Sequence, residues 1–89
     1  MKNSTQYHLI LHNDNKTTLN YAIETIQYIC NHPFQQCLQI ALIASMKGEC
    51  SVKIGTNFDS LIEYRDKFVE LGLGVHIQAR PKINTYDTN

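Results

Sequence analysis

The spacing of hydrophobic residues changes along the chain between two patterns, and the first of these predicts β-strands. Residues 7–12, with the sequence YHLILH, alternate between an apolar row and a more polar row, which is the period of two of a strand. The same alternation recurs at residues 50–54 and 74–79. We therefore predict three strands. Ile10, an apolar residue in the polar row of the first strand, indicates that both faces of this strand are covered at least in part.

The second pattern predicts three helices. Hydrophobic residues recur every three or four positions over residues 19–30, 33–47 and 57–71, as expected for helices that bury one face. Thr17 or Thr18 stands where a side-chain cap would begin the first helix. The second helix carries apolar residues on more than one face and is predicted to be the most buried.

The resulting order, βααβαβ, restricts the arrangement of the sheet. A helical crossover between the second and third strands makes these two strands parallel. The first strand then fits between them and antiparallel to both. We predict an α+β domain in which a three-stranded mixed sheet, in the order 2-1-3, packs with three helices. Residues 6–79 form this core domain, residues 1–5 a flexible tail and residues 80–89 a polar tail.

Charge and hydropathy exclude several classes of protein. The eight basic and eight acidic residues are scattered and give a formal net charge of zero, so the footprint of a nucleic-acid-binding protein is missing. No apolar run approaches the roughly 18 to 20 residues that span a bilayer, and residues 1–6 lack the apolar region of a signal peptide. We expect a cytoplasmic monomer that binds neither nucleic acid nor a membrane.

The residues capable of catalysis or metal binding do not form a known pattern. Cys30, Cys37 and Cys50 lie in apolar patterns and are predicted to be reduced, structural thiols. His8 and His12 point to one side of a strand but lie about 13 Å apart, too far to bind one ion. No local signature of a nucleophilic, nucleotide-binding or metalloenzyme site occurs. We expect no catalytic residue, no metal ion and no cofactor.

One polar cluster follows the first predicted strand directly. Asn13, Asp14 and Asn15 separate this strand from the first helix. Such residues are favoured in turns and at helix starts, where their side chains bond to the nearby backbone. An anion beside two amides at the end of a strand also suits a primary ammonium ligand in a cleft. The residues alone leave both interpretations open.

The segment that contains this cluster resembles a known family. The stretch HNDNKTTLNYAIETIQYI, the second helix ending in MKG and the following ECSVKIG are similar to the core domain of the ClpS adaptor family. The family pattern reads roughly hNDDyTpMefVhxvL, followed by a helix that ends in VHxxGka, and the resemblance covers residues 6–79. It implies the same βααβαβ fold, which ClpS proteins share with the C-terminal domain of the ribosomal stalk protein.

The resemblance also implies a function without catalysis. Family members bind proteins that carry a bulky hydrophobic N-terminal residue, known as an N-degron, and deliver them to a Clp-type AAA+ unfoldase and its peptidase. The implied partners are the N-domain of the unfoldase and the N-terminal segments of substrate proteins. A ClpS-fold module that docks on an unfoldase or another partner without binding N-degrons is the alternative, and an unrelated small α/β protein is a third interpretation.

The family's site residues can be carried over position by position. In the family, the Asn and the first Asp of the motif hold the substrate's α-amino group, assisted by a histidine of the second helix. These positions are Asn13, Asp14 and Ser45 here. Asn15 occupies the position of the second Asp and completes the predicted α-amino site. The apolar pocket of the family corresponds to Thr17, Leu19, Ala22, Ala41, Ala44 and Val75, with Leu19 in place of the usual Met.

Three departures from the family pattern predict altered recognition. Asn15 removes a negative charge beside the site, and the hydroxyl of Ser45 is shorter than the imidazole that it replaces. Ala41 and Ala44 stand where bulkier residues are common, which widens or deepens the pocket. We therefore expect binding of N-terminal Phe, Leu, Tyr or Trp to persist, in a weaker or altered form.

Overall fold

The helices and strands follow the order that the hydrophobic spacing predicts. The structure is a computed structural model that describes residues 4–82. Its elements are β1 (Ser4–His12), α1 (Leu19–Cys30), α2 (Phe34–Lys47), β2 (Glu49–Gly55), α3 (Phe58–Glu70) and β3 (Val75–Lys82). Strands β1 and β3 extend beyond the alternating segments, because the first residues of β1 pair with the last residues of β3. The remainder of the two predicted tails lies outside the described residues.

The sheet is built around β1. This strand pairs antiparallel with β2 on one side and with β3 on the other, in the order β2-β1-β3. The strands β2 and β3 do not pair with each other and run in the same direction, as the predicted crossover requires. The predicted α+β class, the element order and the 2-1-3 strand order are therefore confirmed. Because both strand pairs are antiparallel, the sheet is antiparallel and not mixed as predicted.

The three helices pack on one face of the sheet, and the hydrophobic core lies between them. Leu9 of β1 and Phe68 of α3 are fully buried in this core. Ile10 faces the other side of the sheet and lies outside the core cluster, yet it is only 1% exposed. In register it lies between Ser51 of β2 and His76 of β3. Ile10 is thus buried although it lies on the face of the sheet without helices.

Local interactions fix the ends of the helices that approach β1. The hydroxyl of Thr18 accepts a hydrogen bond from the Tyr21 amide at 3.1 Å, so Thr18 is the residue that caps α1. Helix α2 ends at Gly48, whose φ of 94° favours glycine and whose N–H donates to the carbonyl of Ala44. This turn leads directly into β2 and places the end of α2 beside the end of β1.

The cysteines are free thiols. Cys30 and Cys37 are buried and Cys50 is half-buried. Burial raises the pKa of the Cys30 thiol to about 11, and it also raises the pKa values of Cys37 and Cys50. All three are therefore protonated at neutral pH and are poor nucleophiles, which agrees with the structural role predicted for them.

The core position of Phe68 gives a direct test of the fold. Replacing Phe68 by Ala should lower the free energy of unfolding by about 3–5 kcal/mol, because it leaves a cavity in the core. The matched control is the neighbouring Val69, which is 57% exposed, and its replacement by Ala should change that free energy by no more than about 0.5 kcal/mol. Urea unfolding followed by circular dichroism measures both. Equal losses in the two variants would contradict the placement of Phe68.

Candidate functional site

A cavity lies where the end of β1 meets the start of α1 and the end of α2. It contains about 420 Å³ of space, including space open to solvent. Eight of the ten residues predicted for the site line this cavity, namely Asn13, Asp14, Thr17, Leu19, Ala22, Ala41, Ala44 and Ser45. Two other predicted residues, Asn15 and Val75, are not part of the lining. The structure thus brings together the strand-end loop and the two helices on which the predicted residues lie.

Backbone hydrogen bonds fix the loop that carries the polar residues. The amide of His12 donates to the carbonyl of Gly74 at 2.9 Å, and the amide of Asn13 donates to the carbonyl of Gly48 at 3.0 Å. The side-chain amide of Asn13 also donates to the carbonyl of Ser45 at 3.5 Å. The start of the loop is therefore attached both to the segment before β3 and to the end of α2.

The Asp14 carboxylate organises the rest of the loop. Its Oδ1 accepts the amides of Lys16 and Thr17 at 3.0 and 2.9 Å, and its Oδ2 accepts the Thr17 hydroxyl at 3.1 Å. These bonds, with the amide of Thr17 contributing most, hold the pKa of Asp14 below its ordinary value. Asp14 is therefore ionised at neutral pH and places a negative charge in the wall of the cavity.

Acceptor capacity remains at this end of the cavity. Each carboxylate oxygen can accept two hydrogen bonds, and Oδ2 of Asp14 accepts one. The Oδ1 of Asn13 accepts the amide of Asn15 at 3.3 Å, which leaves it one further acceptor position. Within residues 4–82, the Ser45 hydroxyl takes part in no hydrogen bond. These groups offer three acceptors, the number of donors that an ammonium group carries.

Asn15 supports the site from outside the lining. It has a φ of 62°, a left-handed conformation that Asn tolerates better than most residues. Its amide donates to Asn13 Oδ1, and its Oδ1 accepts the Asn13 side-chain amide at 3.4 Å. Asn15 therefore orients Asn13, and this role uses its carbonyl oxygen, an acceptor that an Asp in the same position would also provide.

The other part of the cavity is apolar and is made mainly of small residues. Ala22, Ala41 and Ala44 are buried, with exposures of 9%, 3% and 3%. Because alanine ends at Cβ, the two helices leave space between them at this point. Leu19 also lines the cavity and is 40% exposed.

The residue that β3 was expected to contribute comes instead from the turn before it. Val75 pairs with Leu11 and packs against the core. Leu73, two positions earlier and 3% exposed, lines the cavity. The hydrogen bond from His12 to Gly74 extends the contact between the two segments beyond the Leu11–Val75 pair. Leu73 is therefore both a buried core residue and part of the cavity lining, whereas Val75 is half-buried against the core.

Sequence reasoning overlooked four lining residues, namely Leu11, His12, Thr18 and Leu73. Leu11 and His12 immediately precede the polar cluster, so their position at the end of the strand was a usable signal. Thr18 was considered only as a helix cap. Leu73 had no signal in the sequence, because its place depends on the register between β1 and β3.

Residues 4–82 contain neither a metal-binding cluster nor a helix that could span a membrane. No group of three or more His, Cys, Asp or Glu side chains in this part of the chain is arranged to hold a metal ion. No helix within it has the length and apolar composition needed to cross a membrane.

The bonds to Asp14 can be tested by titration. In an NMR titration, Asp14 should titrate below the ordinary range of an aspartate, because Thr17 and Lys16 donate to its ionised form. Ionised Asp14 then stabilises the folded state at neutral pH, and this stabilisation is lost as the pH falls through the lowered pKa. Replacing Thr17 by Val removes the hydroxyl donor and should raise the pKa part of the way. The control Thr56→Val, outside the loop, should leave the Asp14 titration unchanged; the same titration in T17V would contradict the hydrogen bond.

Comparison with known proteins agrees with this arrangement. The family model described as ATP-dependent Clp protease adaptor protein ClpS matches residues 2–76. No match to a curated protein accompanies it. Among solved structures, the chain is similar to Agrobacterium tumefaciens ClpS2 bound to L-phenylalaninamide, with a TM-score of 0.66 and 16% identity. That likeness covers 88% of this chain and 98% of the other, and at this identity it shows a shared fold. Because the family match extends over most of the 89 residues, the chain belongs to the ClpS family of ATP-dependent Clp protease adaptors.

Proposed function

We propose that this ClpS family member binds the N-terminal residue of substrate proteins in the cavity and delivers them to a Clp AAA+ unfoldase. The family supports the role of an adaptor in Clp-dependent proteolysis. One observation supports the choice of ligand. An ionised carboxylate and two further acceptors line the same cavity as a set of small, buried apolar side chains. A ligand that combines an ammonium group with an apolar side chain matches both parts.

The polar part suits a free α-amino group. Such a group has a pKa of about 7.7–8.0 and is largely protonated near neutral pH. Its N–H donors match the free acceptor positions on Asp14, Asn13 and Ser45. A hydrogen bond to a charged group contributes about 1.5–3 kcal/mol. An internal or acetylated residue has neither the charge nor these donors, so the site selects chain ends.

The apolar part suits a hydrophobic side chain on the same residue. The space beside Ala22, Ala41 and Ala44 would receive that side chain, with Leu73 as a further wall. Full burial of a Phe or Leu side chain is favourable by about 1.5–3 kcal/mol. The ligand named for Agrobacterium ClpS2, L-phenylalaninamide, has this combination of a free amine and an apolar ring, which supports the class of ligand proposed here.

Recognition should be weaker than the family pattern implies. Ser45 stands where the family pattern has a histidine, and a hydroxyl reaches less far than an imidazole. The contact between the Ser45 hydroxyl and the ligand's ammonium group is then either longer or bridged by water. Asp14 also divides its acceptor capacity between the ligand and its own loop.

Peptide binding tests the proposal. In isothermal titration at neutral pH, a peptide with N-terminal Phe should bind, and its N-acetylated form should bind at least about tenfold more weakly, because acetylation removes a charge-assisted hydrogen bond. Replacing Asp14 by Asn keeps an acceptor for the loop but removes the charge, and should weaken binding of the free peptide. The matched control Asp59→Asn removes an equal charge on α3 and should bind as the unaltered protein does. Absence of binding, or equal binding of the acetylated peptide, would exclude N-degron recognition and favour a docking module.

The departure at position 45 gives a gain-of-function test. Replacing Ser45 by His should strengthen binding of the N-terminal Phe peptide by about tenfold, the effect expected of one added charge-assisted hydrogen bond. The matched control is Met46→His, which places the same side chain at the adjacent position; Met46 is 75% exposed and outside the cavity lining. A similar increase in both variants would show a nonspecific effect of the added histidine and contradict the role assigned to position 45.

A further inference from the structure

Two histidines form a pair at the edge of the cavity. His12, at the end of β1, lines the cavity, and its Nε2 is hydrogen-bonded to Nδ1 of His76 on β3. The ring centroids lie 4.6 Å apart with an interplanar angle of 21°. On the opposite side of the His12 ring, Nδ1 lies 3.9 Å from the carboxylate of Glu49. The proposed ligand contacts leave this pair without a function.

The hydrogen bond within the pair limits its protonation. One of the two ring nitrogens must be unprotonated to accept the bond from the other. The pair is therefore either neutral or carries a single positive charge that both rings share. Histidine is the side chain whose charge ordinarily changes between pH 5 and 8, and His12 lines the cavity, so a proton taken up by the pair adds a positive charge to the cavity wall.

Charged and titratable side chains from several elements surround the histidine pair. From β2, Glu49 faces His12. From the loop, Asp14 lines the same cavity. Further along the sheet lie His8 of β1, whose Nδ1 is hydrogen-bonded to Ser51, and Arg80 of β3, whose charge acts on His8.

We propose that the histidine pair is a further determinant of binding at this cavity: the neutral pair admits an ammonium ligand, and the protonated pair opposes it. This inference rests on the proposed function, since it concerns the same ligand. It adds His12 to the residues that decide binding, and it predicts that the protein binds N-terminal residues more tightly at neutral pH than after acidification.

The expected effect is moderate and has a characteristic direction. Two positive charges several ångströms apart at a solvent-exposed site repel enough to weaken binding by roughly fivefold. The ligand alone would give the opposite trend, because an α-amino group gains protons as the pH falls through about 7.7–8.0. Asp14 does not reverse the effect either, since its pKa is lowered and it stays ionised. A loss of affinity on acidification is therefore the effect of the histidine pair, and not of protonation of the ligand's α-amino group or of Asp14.

The test measures binding of an N-terminal Phe peptide by isothermal titration at about pH 7.2 and about pH 5.5, at about 0.15 M salt. The unaltered protein should lose roughly fivefold in affinity at the lower pH. The variant His12→Gln should lose most of this pH dependence. The matched control His8→Gln removes a histidine from the same face of the sheet, away from the cavity, and should retain it. Circular dichroism at both pH values verifies that each variant is folded.

The outcomes separate this inference from the proposed function. Absence of binding at about pH 7.2 would overturn both. Binding at that pH with equal or higher affinity at the lower pH would overturn the inference alone, and so would an equal loss of affinity in H12Q and in the unaltered protein. NMR titration of the four histidine rings gives a readout without ligand. Uptake of one proton by His12 and His76 together supports the pair, and uptake of two in the same range contradicts it.

Discussion

The loop of the candidate site depends on the hydrogen bonds that the Asp14 carboxylate accepts. This carboxylate accepts the amides of Lys16 and Thr17 and the Thr17 hydroxyl, which leaves Thr18 to cap α1. The sequence allowed two interpretations of this residue, a turn former or a ligand group, and the structure makes them compatible. An oxygen that is already oriented by its loop loses little conformational freedom when it binds a ligand, so the local bonds prepare the carboxylate for the role proposed.

The spacing of hydrophobic residues was sufficient to predict the six elements and the 2-1-3 sheet, because each helix and strand buries residues with its own period and the crossover fixes the strand direction. It could not predict which residue near β3 lines the cavity. Val75 and Leu73 are both apolar and two positions apart. The choice between them depends on the register that the hydrogen bond from His12 to Gly74 sets, and that register joins segments far apart in the sequence.

The same limitation explains why the histidine pair was not predicted. His8 and His12 were compared because they share one strand and one face, and their separation argued against a common ion. His76 stands on another strand, diagonal to His12, since it pairs directly with Ile10. A contact of this kind depends on how the two strands pair. It cannot be predicted from the sequence of either strand alone. The residues alone singled out Asn13 and Asp14, but Ser45 could be joined to them only because a family pattern linked the loop to α2.

The replacement of the family histidine by Ser45 changes where charge can appear in the cavity. Ser45 has no charge at any relevant pH, and Asp14 stays ionised because its pKa is lowered. Of the remaining lining residues described in the structure, His12 is the one with a titratable side chain. Among these remaining lining residues, a change of charge can therefore arise only on the strand side, at His12 and through its pair with His76. The pH dependence of binding thus reports on β1 and β3, whereas its strength at neutral pH reports on the loop and α2.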